Sequence, residues 1–310
     1  MSTPKITEGT ATFTHPSLPA DKPCQTWYKV IGDLKGGQRP LVLLHGGPGA
    51  CHNYLLPSLS TFPAKYSVPV VFYDQIGNGK STHYREKRLD TSFWTPDLLM
   101  ADLENLLEHL GIADDYDLLG QSWGGMMGAM WAIRGHRGLK RLIISDSPAS
   151  MALWVESCDS LRAKLPREVD AVLEKHEKDQ TYDSQEYKDA VHFFYKRHLC
   201  RMETWPQDVV DSMDQLEKDD TVYMTMNGPS EFTVIGSLKT WSVVEECKKI
   251  TVPTLLINGE HDEAQAVCVA PFFRGIPKCK WITVQGAGHM PNVEKPEEYA
   301  EIVMDFLKYS

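Results

Sequence analysis

Apolar residues in this chain fall into two textures, one at its ends and another through its middle. Short runs dominated by apolar residues occur at Leu41 to Leu44, Val68 to Tyr73, Asp117 to Leu119 and Arg141 to Ser145. Runs of that length and continuity predict parallel strands buried on both faces. Ahead of them, residues 8–13 and 25–31 collect β-formers, with Pro16, Pro19 and Pro23 between, and predict an opening antiparallel pair. Leu99, Leu103, Leu106 and Leu110 recur at helical spacing; Thr95 suits the cap, Pro96 the first turn and Gly111 the stop. Strands alternating with helices predict parallel β-α-β construction.

The texture changes after Ser145-Asp146-Ser147-Pro148. Residues 150–243 are charged and helical in pattern, as in Arg167 to Asp179 and Ser184 to Arg201, with no run suited to a buried strand. The strand pattern resumes at Thr254 to Asn258 and Lys280 to Val284, and a helix is predicted over Pro296 to Leu307. The expected organisation is an α/β core formed by residues 1–149 and 244–310, with a helical cap of residues 150–243 inserted over it. No internal repeat or low-complexity tract interrupts this layout.

Composition narrows the function classes. The 310 residues are 42% hydrophobic and 24% charged, with a formal net charge of −10. That balance is globular, and an acidic surface disfavours nucleic acid and anionic membranes as partners. Cys24, Cys51, Cys158, Cys200, Cys247, Cys268 and Cys279 form no CxxC pair, so free thiols in a reducing compartment are expected. Met1-Ser2-Thr3-Pro4-Lys5 lacks the apolar run of a signal peptide, and no run reaches the roughly 18 apolar residues of a membrane span. A cytosolic location is expected, and nothing in the pattern specifies an oligomer.

Gly120-Gln121-Ser122-Trp123-Gly124 lies between a predicted strand and a helical run, the setting in which G-x-S-x-G places a nucleophilic serine. Its glycines have a steric reason: a serine on a tight strand-to-helix turn is strained, and its neighbours must lack Cβ atoms. The motif resembles the nucleophile turn of the α/β-hydrolase fold. In that fold the loop after an early strand supplies an oxyanion donor; here it is His45-Gly46-Gly47-Pro48-Gly49. The Gly47 and Trp123 amides are the expected donors, Gly46 is expected beside the substrate, and His45 is expected to be structural.

The fold's chain order is Ser, then Asp or Glu, then His. Strand Thr254 to Asn258 leads into Gly259-Glu260-His261-Asp262-Glu263, and strand Lys280 to Val284 into Gly286-Ala287-Gly288-His289-Met290. Both loops follow the carboxyl ends of strands, where open α/β sheets bind ligands. Glu260, His261 and Glu263 compete within the acid loop; resemblance to the fold's Gly-x-x-Asp loop favours Asp262. The expected triad is Ser122, His289 and Asp262. No cofactor is needed, and the chain offers neither a metal-ligand cluster nor a phosphate loop.

His45 to Gly49, Tyr73-Asp74-Gln75-Ile76-Gly77-Asn78-Gly79-Lys80-Ser81 and Gly120 to Gly125 together resemble the proline iminopeptidase family. The lid segment Met226-Asn227-Gly228-Pro229-Ser230-Glu231-Phe232, with Trp241 beyond it, is similar to the branch of tricorn-interacting aminopeptidases and L-amino-acid amidases. The resemblance implies an exopeptidase or amidase acting on a small molecule or short peptide with a free amino terminus. It also implies lid carboxylates facing the α-ammonium group; Glu231 matches one, and Glu203 in Arg201-Met202-Glu203-Thr204-Trp205 matches a second. Trp205, Phe232 and Trp241 either wall an apolar pocket or form lid core. Two positions depart from the family pattern: Ile76 replaces Arg in Asp-Gln-Arg-Gly, and Gln121 replaces Gly or Ser. An esterase or amidase of a specialised metabolite and a non-catalytic binding protein on the same scaffold are the competing classes. Epoxide hydrolase and dehalogenase chemistry would need an aspartate in place of Ser122.

Overall fold

Eight strands form one sheet in the computed structural model, which describes residues 4–309. Met1 to Thr3, part of the stretch expected to lack a leader, lie outside the described residues. The strands are β1 (Ile6–Phe13), β2 (Cys24–Ile31), β3 (Leu41–Leu44), β4 (Val70–Tyr73), β5 (Tyr116–Gln121), β6 (Leu139–Ser145), β7 (Thr254–Gly259) and β8 (Cys279–Val284). Their order across the sheet is β1-β2-β4-β3-β5-β6-β7-β8. β1 pairs with β2, and β2 with β4, antiparallel; every other pairing is parallel.

The apolar runs became strands because both faces of the sheet are covered. Every residue of β3, β4, β5 and β7 is buried. Alternation then divides the side chains between two layers. Val42, Leu44 and Leu118 join a core with the helices Pro96–His109 and Trp123–Ile133. Leu41, Leu43 and Leu119 join a second core with Tyr54, Leu59, Tyr299 and Phe306, the last two on the helix Pro296–Tyr309. The Thr95 hydroxyl accepts from the Leu98 amide at 3.2 Å, so the expected cap is present. Gly111 follows the helix end with a φ of +68°, which glycine adopts freely.

Between β6 and β7 the chain forms the helices Met151–Arg162, Arg167–Asp179, Gln185–His198, Gln207–Lys218 and Thr221–Met226. The two ends of this segment are tied together: the Val243 amide donates to Ala149 O at 2.9 Å and the Met151 amide to Trp241 O at 3.0 Å. Four helices escaped the sequence pattern. Leu56–Leu59, Phe62–Tyr66 and Pro291–Glu294 are too short to show a period, and Ala266–Gly275 carries Pro271 inside it. All seven cysteines are free. Among the described residues, no helix is long and apolar enough to cross a membrane.

Backbone packs very closely around the turn from β5 into the helix Trp123–Ile133. A Cβ on Gly120 would run into the Gly124 carbonyl, and one on Gly124 into the Leu44 carbonyl at the end of β3. Both obstacles are backbone, which cannot swing aside. Gly124→Ala is therefore expected to lower the unfolding free energy by about 3 kcal/mol through overpacking. Urea denaturation measures this, and a loss below about 0.5 kcal/mol, the range of an ordinary surface change, would contradict the close approach.

Candidate active site

Ser122 sits on the turn at the end of β5 with φ +55° and ψ −123°, a conformation costly for any residue with a side chain. Hydrogen bonds hold it there. Its amide donates to Ser145 O at 2.8 Å, and its carbonyl accepts from the Gly125 amide at 2.9 Å and the Ser147 hydroxyl at 2.6 Å. The side chain lines a cavity of about 380 Å³ that Gly46, Gly47, Trp205, Glu231 and His289 also line. A recess of about 10 Å³ beside it gathers Gly47, Ser122 and Trp123 against Trp154 and Glu231. Neither the Gly47 nor the Trp123 amide donates a hydrogen bond within the described residues, which leaves both available to a developing oxyanion.

His289 follows β8 and Asp262 follows β7. His289 Nδ1 lies 2.6 Å from Asp262 Oδ1, and both side chains are buried. The Ala264 amide donates to the same oxygen at 2.8 Å. Trp154 packs edge-on against the imidazole at 5.5 Å between ring centres. Burial opposes charge on the imidazole, but Asp262, with Glu263 and Glu231 behind it, outweighs burial and raises His289 to about 9. No direct hydrogen bond joins Ser122 to His289; such bonds in ligand-free enzymes are often long and tighten with substrate. A serine and a carboxylate-held imidazole on one cavity can carry out nucleophilic acyl transfer.

The oxyanion loop, the nucleophile turn and the histidine loop are stitched together by Tyr54, which no motif marked, and by Gln121, a departure from the family pattern. The Tyr54 hydroxyl accepts from the Gly46 amide at 2.7 Å and donates to Gln121 Oε1 at 2.6 Å. Gln121 Nε2 then donates to the His289 carbonyl at 2.9 Å. His45 is structural, as expected. Burial keeps its pKa below the ordinary histidine value, and its Nε2 accepts from the Gln75 amide at 3.0 Å.

The lid expectations divide. Glu231 lines the cavity, with Oε1 accepting from the Tyr223 hydroxyl at 2.9 Å. Glu203 is a correction: it lies in an exposed turn, and only its carbonyl is engaged, by Lys196 Nζ at 2.6 Å. Trp205 reaches the cavity. Phe232 and Trp241 do not, because other partners claim them: Phe232 packs edge-on against Phe194, and Trp241 Nε1 donates to Met130 Sδ. By sequence Glu263 is only a rival to Asp262. It is fully buried, neither carboxylate oxygen has a partner, and burial pushes its pKa well above the usual glutamate range. Its position next to Asp262 was the one available signal. Asp146, Asp262 and His289 bring ligand-type atoms within 4.8 Å of one another. Within this cluster Asp262 Oδ1 and His289 Nδ1 are engaged with each other, while Asp146 Oδ1 and Asp262 Oδ2 have no partner among the described residues.

Comparison with known proteins agrees with this architecture. A family model of the alpha/beta hydrolase fold matches residues 39–296. A proline iminopeptidase of Saccharolobus solfataricus is 35% identical over 281 residues, covering 91% of this chain and 88% of the relative. The crystal structure of VinJ aligns with a TM-score of 0.91 at 45% identity, covering 97% of this chain and 98% of that one. A proline iminopeptidase of Mycobacterium smegmatis aligns with a TM-score of 0.85 at 41% identity, over 97% of this chain and 98% of the other. The sheet order, the strained serine turn and these full-length similarities lead to one assignment: the chain belongs to the proline iminopeptidase family of α/β-hydrolases.

Proposed function

We propose that this hydrolase is an aminopeptidase that removes an N-terminal residue, proline or another small apolar one, from short peptides or amides. Ser122 is the nucleophile, His289 the general base and Asp262 the carboxylate that orients it. His289 takes the Ser122 proton as Oγ attacks the scissile carbonyl. The Gly47 and Trp123 amides receive the oxyanion, and His289 returns the proton to the departing amine. Water then attacks the acyl-enzyme by the same route in reverse. The helical segment of residues 150–243 acts as a cap, contributing Glu231 and Trp205 to the cavity.

The observation that carries the free-amine requirement is Glu263. A buried carboxylate with no partner on either oxygen is stable only when protonated or when a cation arrives. Glu231 and Glu263 interact electrostatically with each other and with His289. Glu231 lines the cavity and Glu263 is buried close to it, so an α-ammonium bound at Glu231 supplies the missing positive charge to both. It also cancels their pull on the imidazolium, so His289 surrenders its proton as substrate enters. Glu263 thus takes the part that the sequence pattern gave to Glu203.

Three outcomes test this reading. Ser122→Ala abolishes turnover of Pro-, Ala-, Leu- and Phe-p-nitroanilides while circular dichroism remains native, and N-acetylated anilides are poor substrates of the wild type. Equal turnover of blocked and free anilides would remove the ammonium requirement and favour an esterase or amidase of another compound class. Glu263→Gln and Glu231→Gln each weaken kcat/KM for free-amine substrates by about 1–3 kcal/mol, the worth of a charge-assisted contact, and leave acetylated substrates unaffected. The base works only when neutral, so with His289 raised to about 9 the rising limb of kcat/KM lies in the alkaline range, where loss of the substrate's α-ammonium supplies the falling limb. Removing a neighbouring negative charge destabilises the imidazolium, so the rising limb moves to lower pH in Glu231→Gln; movement to higher pH would contradict the assignment.

A further inference from the structure

Asp146 follows β6 within the Ser145-Asp146-Ser147-Pro148 stretch where the sequence texture changes, and the hydrolytic roles above make no use of it. Its backbone is held at φ +54°, a region that non-glycine residues rarely occupy, and its amide donates to Ile257 O on β7 at 2.7 Å. The side chain is fully buried. Its Oδ2 accepts from the Ser145 hydroxyl at 2.6 Å, and that hydroxyl accepts from Tyr299 at 3.0 Å. Its Oδ1 has no partner, and neither has Asp262 Oδ2. Yet the two carboxyl groups are neighbours, with oxygens inside the 4.8 Å cluster that includes His289.

Two buried, facing carboxylates cannot both stay ionised next to a single imidazole; one proton shared between them removes the repulsion and satisfies both vacant oxygens. Hydrogen bonds decide which residue carries it. Asp262 Oδ1 accepts from two N–H donors, His289 and Ala264, which favour its ionised form. Among the described residues the one close donor to Asp146 is a hydroxyl, with the Gly259 backbone a weaker influence than burial and the Asp262 charge. We propose that Asp146 is a protonated carboxylic acid whose Oδ1–H donates to Asp262 Oδ2, making Asp146 the positioning residue of the acid–imidazole pair. Burial and the nearby Asp262 charge both push its pKa well above the usual aspartate range, in agreement with that geometry. Donation then runs in one direction, from Tyr299 to Ser145 to Asp146 to Asp262, while His289 donates to Asp262 from the other side. Asp262 is fixed at both oxygens, and its charge is aimed at the imidazole.

The titratable groups facing Asp146 are Asp262 and His289 on the loops after β7 and β8, Tyr299 on the helix Pro296–Tyr309, and Tyr54 near the oxyanion loop. Burial pushes both tyrosines far above neutrality, so neither brings a charge to the cluster.

The inference rests on the Asp262–His289 pair being catalytic, and its test separates the two claims. Asp146→Asn reproduces the protonated form, since its NH₂ donates where the acid would, and asparagine tolerates φ +54°. Asp146→Gly deletes the donor without backbone strain. The expected result is that Asp146→Asn keeps kcat within about threefold and leaves the pH profile in place, whereas Asp146→Gly loses about tenfold or more in kcat with little change in KM. Independently of activity, the infrared difference spectrum between wild type and Asp146→Asn at pH 8 contains a protonated-carboxyl C=O band. Absence of that band overturns the proposal whatever the kinetics show. So does an Asp146→Asn loss equal to that of Asp146→Gly, or a stoichiometric metal ion in the purified protein, which would replace the proton as the bridge. Should Ser122→Ala remain active, the triad assignment fails while the infrared result still reports on Asp146.

Discussion

Charge balance in a dry interior governs this site. Asp146, Asp262, Glu263 and Glu231 converge on a single imidazole, and burial penalises each negative charge. One positive group cannot neutralise four carboxylates. The remaining charge must be met by protons, hydrogen bonds or an arriving cation, and each carboxylate has a different remedy. Asp262 has the imidazole and the Ala264 amide, Asp146 has the Ser145 hydroxyl and the proton proposed above, and Glu231 has the Tyr223 hydroxyl. Glu263 alone has no partner on either oxygen. On the proposed reading, specificity for a free amine follows from this incomplete compensation.

Such a cluster requires its members to be held against their mutual repulsion, and the sheet provides the frame. The loops after β6, β7 and β8 deliver Asp146, Asp262 with Glu263, and His289 from neighbouring parallel strands. The inserted helical segment brings Glu231 from above. Gln121 stitches the nucleophile turn to the histidine loop, and Tyr54 carries the connection to Gly46. Gln121 is the variable position of the nucleophile motif, and in this chain it spans two loops that the sequence separates by 168 residues. A shift of any of these three loops is therefore felt by the other two.

Legibility in the sequence followed physical scale. The strands were plain because continuous apolar runs have few other places to go, and the Thr95 cap and Gly111 stop were plain because their chemistry is local. The helix Ala266–Gly275 was hidden by Pro271, which tertiary packing tolerates and local propensity does not. Glu203 illustrates the opposite error: motif context suggested a substrate contact, but the turn that carries it faces solvent. Glu263 was visible only as a neighbour of Asp262, since adjacent residues in an irregular loop point in directions that spacing does not encode.

By itself the sequence determined the α/β layering, the serine turn and the order of serine, acid and histidine, because steric and periodic constraints within a few residues leave few alternatives. Tertiary structure decided which carboxylates are buried, which of them lack partners and which aromatic side chains reach the cavity. Those outcomes depend on desolvation and on contacts between segments more than a hundred residues apart, as with Gln121 and His289. A residue's burial is a property of everything packed around it, so no local pattern could have assigned Glu263 and Asp146 their charge states.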